Sequence, residues 1–256
     1  MSPSSVILIS GWAHGPESMS SIARSLGDTH EVSSLSPAQM FVEDGKAAPI
    51  ASDNGHTRSP CSTVLESYIR KAAEPVWLIG WSLGGMLAIE AAAASPPERI
   101  AGLVLLGTTA RFCSAESFDA GVPPSHVRSM RQALRRRSTS MLEDFFTQAS
   151  LPANIPEEER KRKVEAALET GEAALAHGLE YLQTIDLRPG LESITSSCLV
   201  IHGKEDRIVP WRASEYLDRH LPHCSAHFLP EAGHGLVDQC ESFIIHQIGR
   251  FMESRL

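Results

Sequence analysis

The pentapeptide Gly80-Trp81-Ser82-Leu83-Gly84 sets a serine between two glycines, directly after an apolar run (76–79) and directly before an alanine-rich one (83–94). A serine at a sharp strand-to-helix turn is held exposed, where its hydroxyl can attack a carbonyl carbon, and the flanking glycines let strand and helix approach closely. The pattern is short and takes its meaning from that context; the plain alternative is a serine that caps a helix. An alcohol oxygen needs a base, and the chain offers a glycine-flanked histidine, Gly233-His234-Gly235, in the loop expected after the last strand. The acid that orients the imidazole comes from His202-Gly203-Lys204-Glu205-Asp206, where Asp206 or Glu205 could serve and the turn begun at Gly203 favours Asp206. His202 is the nearest rival to His234 as base, while His14, His177 and the other histidines read as solvated or packed side chains. A developing oxyanion needs two N–H donors: the backbone of Leu83, and one following the first strand, assigned to Trp12 in Ser10-Gly11-Trp12-Ala13. The Trp12 ring either walls a substrate pocket or simply packs.

These residues, far apart in the chain, need elements that bring them together. Short apolar runs at 6–10, 76–80, 102–107, 198–202 and 226–229, with a weaker one at 30–34, alternate with helical stretches at 18–26, 61–73, 83–94, 211–220 and 239–253. That alternation predicts an α/β protein with a mostly parallel six-stranded sheet and helices on both faces. Loops at the carboxyl ends of parallel strands converge on one edge of the sheet, which brings His234 toward Ser82. Two regions break the rhythm. Residues 39–60 lack periodicity and read as a long loop; residues 111–189 read as a helical lid inserted after the fourth strand, with helices near 125–149, 157–177 and 178–185. The division expected is therefore a core of 1–110 and 190–256 and a lid of 111–189.

Length and charge bound the rest. A chain of 256 residues with 42% hydrophobic residues and a net charge of −8 fits one globular unit and argues against a general nucleic-acid binder. Met1 to Ser5 has no basic stretch, and the apolar run 6–9 is too short for a signal sequence or membrane span, so a cytoplasmic location with no membrane association is expected; a monomer is expected as well, although no residue pattern argues for it. The five cysteines are widely spaced with no C-x-x-C pair; they read as free thiols, with no metal site.

On these residues the chain resembles the α/β-hydrolase superfamily, in which the serine, acid and histidine follow in the chain order Ser82, Asp206, His234. It is most similar to the pimeloyl-acyl carrier protein methyl ester esterases of biotin synthesis. The likeness rests on Gly11-Trp12, on Gly80-Trp81-Ser82-Leu83-Gly84-Gly85, on the segment from Gly178 to Arg188, and on His202-Gly203 with Asp206 to Pro210. It implies hydrolysis of a methyl ester presented on acyl carrier protein, with no cofactor, and an acyl pocket under the lid to which Phe145 would contribute. The sequence departs from that pattern between Leu35 and Pro60, where the usual aspartate-leucine-proline-glycine turn is missing, so the pocket wall beside Ser82 and the ester preferred stay open. Arg128, Arg131 and Arg135 share one helical face, joined by Arg136 and Arg137, and would suit an acidic carrier; the plain alternative is a solvated face. Another small ester or thioester, or ligand binding without catalysis, are the alternative functions on the same fold.

Overall fold

Alternation within the apolar runs sets the layers. In β1 (Ser5–Ile9), Val6 and Leu8 face one side of the sheet, Ile7 and Ile9 face the other, and all four are buried. A parallel strand covered on both faces has no solvent side, so its sequence is apolar throughout rather than alternating. The same holds for β5 (Val76–Trp81) and β6 (Ile100–Leu106), and for β7 (Cys198–Gly203) apart from His202. With β2 (Glu31–Leu35) and β8 (Cys224–Leu229) they form a six-stranded sheet in the order β2-β1-β5-β6-β7-β8, every pairing parallel. The computed structural model describes residues 4–42, 50–51, 57–58 and 60–254. Of the stretch 39–60 read as loop, its first residues belong to α2 (Pro37–Val42), and β3 (Ile50–Ala51) pairs antiparallel with β4 (Thr57–Arg58). Most of the remainder lies outside the described residues.

Side chains of α1 (Ser20–Gly27) and α10 (Glu241–Glu253) cover the face that carries Val6 and Leu8. α3 (Pro60–Lys71), α4 (Leu83–Ala94) and α8 (Trp211–His220) cover the other. Every residue of α4 from Leu83 to Ala92 is buried, which explains why this helix is rich in alanine and shows no polar stripe. Its first turn lies so close to β1 that a Cβ at Gly84 would overlap the carbonyl oxygens of Ile9 and Ser10. Because those atoms are backbone and cannot turn aside, Gly84→Ala is expected to cost about 3 kcal/mol, the upper range for overpacking. Urea denaturation checks it, and a loss below about 1 kcal/mol would mean the two backbones can separate freely.

Between β6 and β7 the chain forms α5 (Pro124–Ser150), α6 (Glu157–Glu169) and α7 (Glu172–Thr184). Two details differ from the expected helices. The break falls at Thr170-Gly171 rather than between residues 177 and 178, because Gly171 takes φ 90°, a conformation that ends a right-handed helix. α5 is also kinked at Arg137, whose φ of −156° and ψ of 55° are not helical. The ends of this insertion are tied together: Asp186 accepts hydrogen bonds from Arg111 and, at 2.7 Å, from Arg188, and Leu187 N–H donates to the Ala110 carbonyl at 2.9 Å. Arg111 and Arg188 hold the Asp186 carboxyl below its ordinary range although its partial burial pushes the other way.

Candidate active site

The sheet order reverses around β1 and β5, since β2 lies on one side of β1 while the chain returns to β5 on the other. In open α/β sheets that reversal opens a crevice beyond the carboxyl ends of the strands. Ser82 stands there, with φ 56° and ψ −122°, as the N-cap of α4. Positive φ is strained for a residue with a Cβ and persists only where surroundings over-determine it. Here they do: Ser82 N–H donates to the Leu106 carbonyl at 2.8 Å, and the Ser82 carbonyl accepts from Thr108 Oγ1 at 2.6 Å and from Gly85 N–H at 3.0 Å. A Cβ added to Gly11 would lie 3.2 Å from Ser82 Cβ, so the segment after β1 passes directly over the serine. That segment turns at once, with His14 N–H donating to the Gly11 carbonyl at 3.2 Å and Ala13 at φ 60°.

The loops after β7 and β8 are laced together. Lys204 N–H donates to the Leu229 carbonyl at 2.8 Å and Glu205 N–H to the Ala232 carbonyl at 3.0 Å; a Cβ at Gly203 would overlap the Ala232 carbonyl oxygen. This lacing brings Asp206 to His234, whose Nδ1 lies 2.8 Å from Asp206 Oδ2. Of the two acids weighed, Asp206 meets the imidazole, its side chain 0% exposed, while Glu205 is exposed. A carboxylate only accepts, so Nδ1 of His234 carries a hydrogen, and in the neutral ring Nε2 carries the lone pair. Asp206 Oδ1 accepts from Ile208 N–H at 2.7 Å and Val209 N–H at 2.8 Å. Burial alone would raise this carboxyl; the charge of His234 and the hydrogen bonds from His202 and His234 outweigh it and hold Asp206 below the ordinary carboxylate range.

Ser82 and His234 are joined through their neighbour Trp81, whose indole N–H donates to the His234 carbonyl at 3.0 Å. Among the described residues the Ser82 hydroxyl makes no hydrogen bond. Bonds of this kind are often long without substrate and tighten only when it binds. His202 cannot take the place of His234: it is 0% exposed and both ring nitrogens are occupied, Nδ1 by Ser214 Oγ at 2.6 Å and Nε2 by Asp206 and the Val209 carbonyl.

The insertion roofs this site. The Trp12 indole N–H donates to the Leu175 carbonyl of α7 at 2.9 Å, and its ring meets Phe145 of α5 edge-on at 4.8 Å, so Trp12 binds roof to core. Gly235 N–H donates to the Ala149 carbonyl at 2.9 Å, tying the His234 loop to α5. Of the arginine face, Arg128 and Arg135 are exposed, but Arg131 is turned onto α7, where it donates to Gln183 Oε1 at 2.7 Å and lies 3.8 Å from Glu180. Arg136 and Arg137 are exposed as well.

Reading the sequence missed His14. Its ring is buried between Trp81 and Phe146, and its Nδ1 donates to the Trp12 carbonyl at 2.8 Å. Burial first, then the charges of Lys163 and His234, lower its pKa to about 3 against the weaker pull of that hydrogen bond, so it stays neutral. Only its adjacency to Trp12 could have signalled a place at the site. Cys113, Cys198, Cys224 and Cys240 are free thiols, and burial pushes Cys198 up to about 12. Among the described residues no group of His, Cys, Asp or Glu side chains could hold a metal ion, and no helix is long and apolar enough to cross a membrane.

A strained serine at a β5–α4 turn, with an acid–histidine pair on the loops after β7 and β8, is the arrangement of a hydrolase, and residues 70–239 match the family model for the alpha/beta hydrolase fold. The chain belongs to that family. Among its relatives is a pimeloyl-[acyl-carrier protein] methyl ester esterase of Nitrosomonas europaea, 33% identical over 163 residues, which are 60% of this chain and 62% of the relative's length. One of the same name from Aliivibrio salmonicida is 25% identical over 98% of this chain and 92% of its own. An esterase from Exiguobacterium antarcticum superimposes with a TM-score of 0.82 at 18% identity, over 98% of this chain and 92% of its own, a likeness of fold.

Proposed function

We propose that this protein is a serine carboxylesterase in which Ser82 is the nucleophile, His234 the general base and Asp206 the acid that orients it. The observation that carries the reading is the 2.8 Å contact between His234 Nδ1 and the buried Asp206, which leaves Nε2 as a base on the loop pinned to Trp81, next to Ser82. Ser82 Oγ attacks the ester carbonyl carbon and gives its proton to Nε2; the tetrahedral intermediate collapses and the alcohol leaves with that proton. Water, deprotonated by the same nitrogen, then attacks the acyl carbon; the bond to Ser82 Oγ breaks, Oγ takes the proton back from Nε2, and the acid is released. In this reading the oxyanion accepts from the N–H groups of Leu83, at the head of α4 where no intrahelical acceptor exists, and of Trp12.

For the substrate, the names of the relatives and the motifs shared with them favour the methyl ester of pimeloyl on acyl carrier protein, with methanol as the leaving alcohol. Phe145 would line the acyl pocket from the roof. Charge supports the carrier: Arg128 and Arg135 stand exposed on a chain with a net charge of −8. Arg128→Glu with Arg135→Glu should lower kcat/KM for the carrier-bound ester about tenfold at low salt, mainly by slowing encounter, and less as salt screens the charges. Turnover of the same methyl ester free in solution should not change. Equal losses on both substrates would remove the docking role, and faster turnover of the free ester than of the carrier-bound one would remove the carrier.

A further inference from the structure

Resting on the reading of Asp206 and His234 as a working pair, we infer that His202 is a positioning residue: its imidazole fixes the carboxylate plane of Asp206 so that Oδ2 faces His234.

Asp206 is held at Oδ1 by two backbone N–H groups, from Ile208 and Val209. Both bonds end on one oxygen, and the terminal torsion of an aspartate is broad, so they leave Oδ2 free to swing about that anchor. On the other oxygen His234 Nδ1 lies 2.8 Å away and His202 Nε2 lies 3.0 Å away. His202 Nε2 also lies 3.0 Å from the Val209 carbonyl; a carboxylate and a carbonyl can only accept, so this nitrogen carries a hydrogen shared between them. Val209 thereby gives its N–H to Oδ1 and takes a hydrogen from the ring that holds Oδ2, closing a loop of bonds that fixes both carboxylate oxygens.

The other side of the ring is anchored equally firmly. Nδ1 lies 2.6 Å from Ser214 Oγ on α8, and Ser214 Oγ lies 2.8 Å from the Thr108 carbonyl. Thr108 Oγ1 in turn donates to the Ser82 carbonyl at 2.6 Å. His202 thus stands between the backbone of the strained serine and the base that must serve it, linked through Ser214 and Thr108, with the one Ser214 hydroxyl hydrogen serving either Nδ1 or the Thr108 carbonyl. A histidine at the carboxyl end of an otherwise apolar parallel strand, 0% exposed, is costly to bury unless its ring bonds are made, and here the partners of both nitrogens belong to this network.

Three variants test this with 4-nitrophenyl butyrate turnover and proton NMR of the His234 Nδ1–H, which resonates far downfield when held by a carboxylate. His202→Gln keeps a donor at the reach of Nε2. His202→Asn reaches only toward Ser214, and His202→Leu fills the space with no donor. His202→Leu and His202→Asn should lower kcat about 10- to 100-fold, the scale seen when the hydrogen-bonding partner that orients a metal-bound side chain is removed. KM should stay within about twofold, as expected when ground-state binding is untouched, and the downfield resonance should weaken or vanish. His202→Gln should restore most of both. Should the leucine variant fail to fold, the Gln and Asn pair decides alone. Unchanged kcat and resonance in the Asn variant, or a Gln variant no better than Asn, would overturn the inference. A wild-type protein that gives no fluorophosphonate adduct on Ser82 would count against the esterase reading instead, and the resonance would still report whether His202 holds Asp206.

Discussion

Ser82→Ala is expected to lower kcat for ester hydrolysis by about a millionfold, the scale seen when the serine of such a unit is removed. Neither His202 nor Thr108 can substitute: His202 is enclosed and Thr108 Oγ1 is committed to the Ser82 carbonyl. Loss of one oxygen from a partly exposed position leaves the packing alone, and alanine meets the same penalty at φ 56° as serine does, so the variant should fold with nearly unchanged stability. What remains should be slow background hydrolysis supported by the N–H groups proposed to meet the oxyanion. Turnover of 4-nitrophenyl butyrate, intact mass after fluorophosphonate treatment and far-UV circular dichroism together check it. Wild-type protein should gain one adduct, and the variant none. Turnover that survives the substitution in folded protein would exclude Ser82 as nucleophile, and a wild type with neither adduct nor turnover would point to a binding protein on a hydrolase scaffold.

Much of this fold can be read from apolar runs because parallel strands buried on both faces leave an unambiguous mark. β1, β5, β6 and β7 each lie within a residue or two of the run that foretold them. Punctuation in the insertion is harder to read. The helical period continues smoothly through Thr170-Gly171, and nothing marks Arg137 as the place where α5 kinks, because an arginine fits a helix and a kink equally well. At the site, the pairing of Asp206 with His234 could be expected from chain order, since loops after neighbouring parallel strands must meet. The part played by His202 could not, because two histidines near one aspartate look alike in sequence. Both rings are buried, and hydrogen bonding distinguishes them: among the described residues one ring keeps a nitrogen free of partners while the other spends both on Asp206, Val209 and Ser214. His14 was obscured for a similar reason, since a histidine in a short loop ordinarily faces water, and here Trp81 of the sheet and the phenylalanines of α5 enclose it together.

Asp206→Asn separates what the carboxylate does for chemistry from what it does for stability. Its Oδ1 can become the amide oxygen and keep the bonds from Ile208 and Val209. The NH2 group then stands where Oδ2 was, facing His202 Nε2–H and His234 Nδ1–H, donor against donor. His234 can relieve the clash only by moving its hydrogen to Nε2, which removes the lone pair that Ser82 needs. A wrong tautomer of this kind costs about ten-thousandfold in kcat. The stability effect has a defined pH dependence. Asp206 is depressed in the folded protein relative to about 3.9 in an unfolded chain. Its contribution is therefore complete above roughly pH 4 and is lost as pH falls toward the folded value, because the unfolded chain takes up its proton first. Urea denaturation at pH 7 should show wild type more stable than Asp206→Asn, and the gap should close steadily below about pH 4. A gap that stayed constant on acidification would mean that the folded carboxylate is not stabilised in its charged form, and would undercut the orienting role along with it.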